Sequence, residues 1–194
     1  MRILIIIPLA HMIEPEVFKA VYDLHPAGHE LSFDFVKGYD CARARNIIAE
    51  KSQEDGYDYV LMVDSDTIIP PDTLELMLDT DVDICLGVCP RKNTKEKKTA
   101  MIKMTDIGYS DSWLYPELPE GKTEVKGGGF ACALVRTKVF TAMDYPYFQY
   151  VTRQDRSSFS EDYYFCQNAR LYGYRVIMDP RVKCGHLARY YQYE

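Results

Sequence analysis

The segment Gly56-Tyr57-Asp58-Tyr59-Val60-Leu61-Met62-Val63-Asp64-Ser65-Asp66 constrains this chain more than any other. Tyr59 to Val63 are mostly apolar and read as a buried strand, and two carboxylates one residue apart follow its C-terminal end. Side chains alternate along an extended chain, so Asp64 and Asp66 are expected on the same side. Two like charges so placed are costly unless a cation joins them. Hard carboxylate oxygens suit Mg²⁺ or Mn²⁺, and α/β sheets hold ligands at the carboxyl ends of their strands. The pattern therefore predicts a divalent-metal site that handles phosphates.

The neighbouring segments supply a sheet for that strand. Ile3 to Ile7 reads as a first strand, with Pro8-Leu9-Ala10-His11 as the loop leaving it. Val17, Val21 and Leu24 place a helix over Glu14 to Leu24, with Pro15 in its first turn. Leu31, Phe33 and Phe35 alternate as a second strand, and Asp40 is a plausible N-cap for a helix from Cys41 to Gln53. Beyond the central strand, the pattern predicts a helix at Asp72 to Leu78 and strands at Asp83 to Val88 and Thr99 to Met104. Thr105 to Gly121 reads as loop, Phe130 to Val135 as a strand, and Thr137 to Met143 as a short helix. Ser160 is the expected cap of a helix ending at Gly173, followed by extended pieces at Tyr174 to Met178 and Val182 to His186.

Strands alternating with helices over residues 1–90 predict an α/β fold with a mostly parallel, doubly wound (Rossmann-like) central sheet flanked by helices. The rest predicts a smaller mixed β region in the C-terminal half. At 194 residues the simplest organisation is one domain, 1–194, with a nucleotide-binding half (1–90) and an acceptor-binding half (91–194).

A formal net charge of -6 argues against a dedicated nucleic-acid binder. The local basic run Arg91 to Lys98 reads either as a solvated loop or as a loop beside an anionic ligand. Ile3 to Ile7 is too short to span a bilayer, and no signal-peptide pattern follows it, so no integral membrane segment is expected. Six scattered cysteines predict reduced thiols and a cytoplasmic protein.

Taken in order, Pro8, Arg43-Ala44-Arg45-Asn46, Asp64-Ser65-Asp66, Gly127-Gly128-Gly129, Ser160-Glu161-Asp162 and Cys184-Gly185-His186-Leu187 form a set. That set resembles a glycosyltransferase of the GT-A fold, the metal-dependent class that uses nucleotide-diphosphate sugars. The small size is also similar to compact glycosyltransferase domains of large algal viruses, which would place the protein in a host cytoplasm. The resemblance implies Mn²⁺ or Mg²⁺ held by Asp64, Asp66 and His186, and a donor that is a UDP-sugar. It implies a glycan or other hydroxyl compound as acceptor. Pro8, Leu9, His11 and Asp40 would meet the base and ribose; Arg45 would meet the diphosphate; Asn46, Asp64, Ser65, Gly128 and Gly129 would line the donor site. Asp162, with Glu161 beside it, would act on the acceptor hydroxyl.

Each of these residues also has an ordinary structural role open to it. His11 and His186 could be loop or surface histidines, Asp40 a helix cap, the glycines a turn. Glu161 and Asp162 could serve the helix dipole alone. Two rival functions share the motif. A haloacid-dehalogenase-type phosphatase would use Asp64 as nucleophile, although Ile68 stands where that family carries Thr or Val. A non-catalytic sugar- or nucleotide-binding module on a transferase scaffold is the other.

Overall fold

The computed structural model describes residues 1–79, 82–92, 98–105, 112–114, 117–152, 154 and 158–187. The strands are β1 (Arg2–Leu9), β2 (Glu30–Lys37), β3 (Tyr59–Val63), β4 (Thr67–Ile68), β5 (Ile84–Val88), β6 (Lys98–Lys103), β7 (Ser112–Leu114), β8 (Thr123–Gly127), β9 (Cys132–Arg136), β10 (Val151–Thr152), β11 (Ser158–Phe159), β12 (Val176–Lys183) and β13 (Gly185–His186). The helices are α1 (Pro15–Tyr22), α2 (Cys41–Glu54), α3 (Thr73–Leu78), α4 (Lys138–Ala142) and α5 (Glu161–Leu171). Among the described residues one sheet dominates, in the order β2-β1-β3-β9-β5-β12-β8-β6-β7.

The β1 run is apolar without alternation because both faces of the sheet are covered. Ile3, Ile5 and Ile7 pack with Val17, Val21, Leu74 and Met77 on the side of α1 and α3. Leu4 and Ile6 face Ile48, Phe130 and Phe165 on the side of α2 and α5. Each such side chain, fully removed from water, contributes about 1.5–3 kcal/mol. On the second side Phe148 stacks on Phe165 with centroids 4.6 Å apart, and Phe130 meets Phe165 edge-on at 5.1 Å.

The expected α/β architecture is present, but the sheet is mixed and not mostly parallel. β1 runs parallel to β2 and β3, and β5 to β12. β9 is antiparallel to both β3 and β5, between which it is inserted. A strand from the second half of the sequence thus lies in the middle of the first half's sheet, so the two halves interleave. Hydrophobic runs mark β9 as a strand but carry no sign of its direction.

Three boundaries differ from expectation. β1 continues through Pro8 and Leu9, which pair with Val36 and Lys37, so the loop toward His11 starts later than predicted. β12 runs on past Met178 through Pro180; its register against β5 shifts between Asp179 and Lys183, and that irregularity accommodates a residue without an N–H. Within the segment read as loop, Ser112–Leu114 pairs with β6. Residues 93–97 of the basic run and the C-terminal tail from residue 188 lie outside the described residues.

Cys85, Cys89, Cys132, Cys166 and Cys184 are buried and unbridged; Cys41 is exposed. Burial pushes the thiols of Cys85, Cys89 and Cys166 up to about 12. Access separates them: partial burial raises the Cys41 thiol as well, but Cys41 is exposed, so the native protein should take up one iodoacetamide label, slowly and at Cys41, and six in denaturant. Mass spectrometry after extended labelling at pH 8 reads this directly; several labels on the native chain would contradict the packing.

Candidate active site

Because β1, β3, β5 and β12 share one direction through the parallel pairings and the double inversion at β9, their C-terminal ends gather at one edge of the sheet. Asp64 follows β3 there, and its N–H donates to the Ala131 carbonyl at 3.0 Å. The chain then turns, with the Thr67 N–H reaching back to the Asp64 carbonyl at 3.0 Å. Asp64-Ser65-Asp66 is therefore a turn and not a strand, and strict alternation does not govern it. The two carboxylates face different cations.

Asp64 accepts from Arg45 Nη2 at 2.9 Å. The other arm of the same guanidinium bonds Glu161 Oε1, bringing α2 and the start of α5 to the end of β3. Arg45 is only 3% exposed, its Cζ lies 5.6 Å from the Phe130 ring centroid, and its Nε makes no hydrogen bond among the described residues. Burial pushes the carboxyls of Asp64 and Glu161 up, and Arg45 opposes both shifts.

Asp66 is held from two other elements. The antiparallel pairing of β4 with β13 sets His186 opposite Thr67, and the Leu187 N–H donates to the Asp66 carbonyl at 2.9 Å. His186 Nε2 consequently lies 3.3 Å from Asp66 Oδ1, while Lys92 Nζ bonds Asp66 Oδ2. Partial burial pushes the Asp66 carboxyl up, but His186 and Lys92 outweigh it and hold it down at about 2. The imidazole is raised, first by Asp66, against burial, and further by the Pro90 carbonyl 2.8 Å from Nδ1. Gly185 permits this approach, since a Cβ there would stand 3.3 Å from Ile68 Cβ.

Asp162 sits in the first turn of α5. Ser160, expected to cap the helix, makes no side-chain cap bond; its hydroxyl instead donates to Asp162 Oδ1, which also accepts from the Tyr163 N–H at 2.8 Å. Oδ2 lies over Gly129, 3.5 Å from where a Cβ would be. That distance is ordinary contact; the tight neighbour of a Cβ at Gly129 would be Ala100 Cβ, at 3.0 Å. Gly128 has a different reason to be glycine: a Cβ there would fall 2.4 Å from Met101 Sδ and 2.7 Å from Leu86 Cδ1. Its neighbours are the protein's own core.

Other expected contacts are distributed as follows. Asn46 is buried, its amide donating to the Ala42 and Phe148 carbonyls at 3.0 and 2.8 Å and accepting from the Tyr147 and Phe148 N–H groups at 2.9 and 3.1 Å. With every amide position used by backbone, the geometry gives no support to a contact between Asn46 and the donor. Arg45 is likewise committed to two carboxylates. Asp40 caps α2 through the Arg43 N–H at 3.0 Å, as its position predicted, and remains exposed. Leu9 is buried, Pro8 and Ser65 are half-buried, and His11 is exposed beyond the end of β1. Lys92 was visible beforehand only as one charge in a basic run; the strand before it was the available sign that it would reach Asp66.

The glycosyl transferase family 2 profile matches residues 33–143, more than half of the chain and inclusive of α2, Asp64 and Asp66. The chain belongs to glycosyl transferase family 2. Among solved structures this family 2 chain is similar to A197 from STIV, with TM-score 0.69 and 16% identity over 97% of this chain and 87% of that one. It is also similar to GalNAc-T7 with UDP, GalNAc and Mn²⁺, with TM-score 0.64 and 11% identity over 96% of this chain and 44% of that one. The inositol-1-phosphate CTP transferase from T. maritima has TM-score 0.50 and 14% identity over 94% and 88% of the two chains. At these identities the likeness is one of fold, and the fold is GT-A-like. No curated protein sequence matches the chain. Family membership makes this a glycosyltransferase and displaces the phosphatase alternative. No described helix of the family 2 chain is long and apolar enough to cross a membrane.

Proposed function

We propose that this family 2 glycosyltransferase moves a sugar from a UDP-sugar to a hydroxyl of a glycan or other acceptor, with Mn²⁺ or Mg²⁺ bound at Asp66 and His186. The observation that carries the metal is the polarity of the His186 ring. Its Nδ1 faces the Pro90 carbonyl, which turns Nε2 toward Asp66 Oδ1 at 3.3 Å, where a proton joins the two groups in the empty protein. A divalent cation would take the place of that proton between the two groups, and a carbonyl on the far nitrogen is the usual support of a metal-bound histidine. The 3.3 Å separation of the two groups would let one divalent cation be held by both. Among the described residues no third His, Cys, Asp or Glu completes a ready cage. Asp64 can contribute the oxygen that Arg45 leaves, directly, through water, or to the ribose. The bound cation would neutralise charge developing on the departing diphosphate.

The protein's own residues do the rest. Pro8, Leu9, His11 and Asp40 border the base and ribose, at the edge where β1 and α2 meet. Residues 1–90 serve chiefly the nucleotide and residues 91–194 the acceptor, within a single domain. In an inverting reaction Asp162 Oδ2 takes the acceptor proton as the hydroxyl oxygen bonds the anomeric carbon and the diphosphate leaves with the electron pair. In a retaining reaction the same carboxylate orients the acceptor. Glu161 acts through Arg45 by holding the start of α5. GalNAc-T7, a fold neighbour, is seen with UDP, GalNAc and Mn²⁺, which supports a nucleotide-sugar donor and a metal here. The six thiols, none of them bridged, fit a cytoplasmic setting.

A thermal-shift screen of nucleotides and nucleotide sugars, with and without Mn²⁺, tests the donor. A ligand at a hundredfold its Kd adds about 2.7 kcal/mol, or about 5–10 °C for a chain this size. No shift with any UDP compound in the presence of Mn²⁺ would overturn the proposal. Asp162→Asn should keep the UDP–Mn²⁺ shift and lose about 10²–10⁴-fold in transfer. Equal loss of binding would move Asp162 out of the acceptor role. Binding of a nucleotide sugar by the unaltered protein, with no turnover over a broad acceptor screen, would instead favour the binding-module alternative.

A further inference from the structure

Lys92 stands out as a charge that the proposed reaction has not used. Its ammonium lies on Asp66 Oδ2, while His186 approaches Oδ1 of the same carboxylate. Lys92 follows Pro90 by two residues, and Pro90 supplies the carbonyl that orients His186. Arg91, between them, is tied down: its N–H donates to the Lys98 carbonyl at 2.7 Å, and its Nη2 donates to the Tyr163 hydroxyl at 3.1 Å. One short segment therefore orients a metal ligand and places a cation on the carboxylate that the metal needs. Lys92 is about one-third exposed, so its four-carbon stem has solvent to swing through.

We infer that Lys92 is an exchangeable counter-ion, which neutralises Asp66 in the empty enzyme, is displaced by the divalent cation, and then pairs with the donor diphosphate. This rests on the reading of Asp66 and His186 as metal ligands. The physical sequence is simple. A dication on Asp66 repels an ammonium a few ångströms away, whereas a diphosphate brings new negative charge within the same reach. Lys92 moves from one anion to the other and keeps all its protons. Its contact with the leaving diphosphate strengthens as charge builds there, so it acts as a catalytic residue on the leaving-group side. It also makes metal and nucleotide binding mutually supportive, since the nucleotide offers the displaced ammonium a partner and so favours the metal-bound state.

The exchange predicts effects of opposite sign from a single substitution. In Lys92→Gln, Mn²⁺ binding without nucleotide, followed by loss of the free-ion EPR signal, should tighten about two- to fivefold, because a part-exposed competing ion pair is gone. UDP binding at saturating Mn²⁺, measured by calorimetry, should weaken about tenfold or more through loss of a charged hydrogen bond. Lys92→Arg, which keeps the charge, should restore both values toward those of the unaltered protein. Unchanged or weaker Mn²⁺ binding in Lys92→Gln, or unchanged UDP affinity, overturns the exchange while leaving the metal site standing. UDP binding that needs Lys92 but no Mn²⁺ overturns it too, by making the lysine the resident cation. If the unaltered protein binds no Mn²⁺, or Asp66→Asn binds it undiminished, the metal assignment falls and the exchange with it.

Discussion

Arg45→Ala is expected to destabilise the protein by about 3–5 kcal/mol, the cost of removing one partner from a buried ion pair. In a chain of this size that lowers the melting temperature on the order of 10 °C. The guanidinium joins three elements that are distant in sequence: α2, which carries it, the end of β3 through Asp64, and the first turn of α5 through Glu161. Without it, two carboxylates that burial already pushes toward protonation lose their counter-charge. Urea unfolding measures the loss. Replacing Glu161 as well, in Arg45→Met/Glu161→Met, should recover part of it, because an apolar pair leaves no stranded charge. Full stability in Arg45→Ala would show that the guanidinium carries no such load.

Asp66→Ala is expected to abolish Mn²⁺-dependent UDP binding and hence the thermal shift, with little change in the melting temperature of the empty protein. Asp66 is part-exposed, and its partners Lys92 and His186 both reach solvent, so losing these pairs costs about 1 kcal/mol or less in fold stability. The cation loses far more, since His186 alone offers one nitrogen and Asp64 is already shared with Arg45. Arg45→Ala and Asp66→Ala thus act in opposite ways: one unsettles the fold, the other empties the site. An Asp66→Ala protein that keeps the Mn²⁺-dependent shift would place the cation elsewhere.

Much of this site was legible before any coordinates. The β3 run and its two carboxylates, the Asp40 cap, the helix opening at Glu161 and the late Gly185-His186 segment all lie where local pattern places them. Pattern failed where the deciding interaction is long-range. Asp64 and Asp66 were expected on one side of an extended chain; instead a turn after Val63 sends one to Arg45 and the other to Lys92 and His186. Asn46 and Gly128 look like donor-site residues in order along the chain, but are consumed by the Tyr147–Phe148 backbone and by the Met101 and Leu86 side chains. Nothing near either residue in sequence announces those neighbours.

The amino-acid sequence by itself determined the buried strand, the acidic pair at its end, the helix starts and the family, because hydrophobic period, capping and motif order are local properties of the chain. Only the tertiary structure decided that β9 runs antiparallel between β3 and β5, that His186 is delivered to Asp66 by the small β4–β13 pairing, and that Arg45 and Lys92 divide the two carboxylates between them. Strand direction and ion pairing depend on which surfaces meet after the chain has closed its long loops. Those choices are settled by the summed burial and charge of distant segments, and no short window of sequence contains that sum.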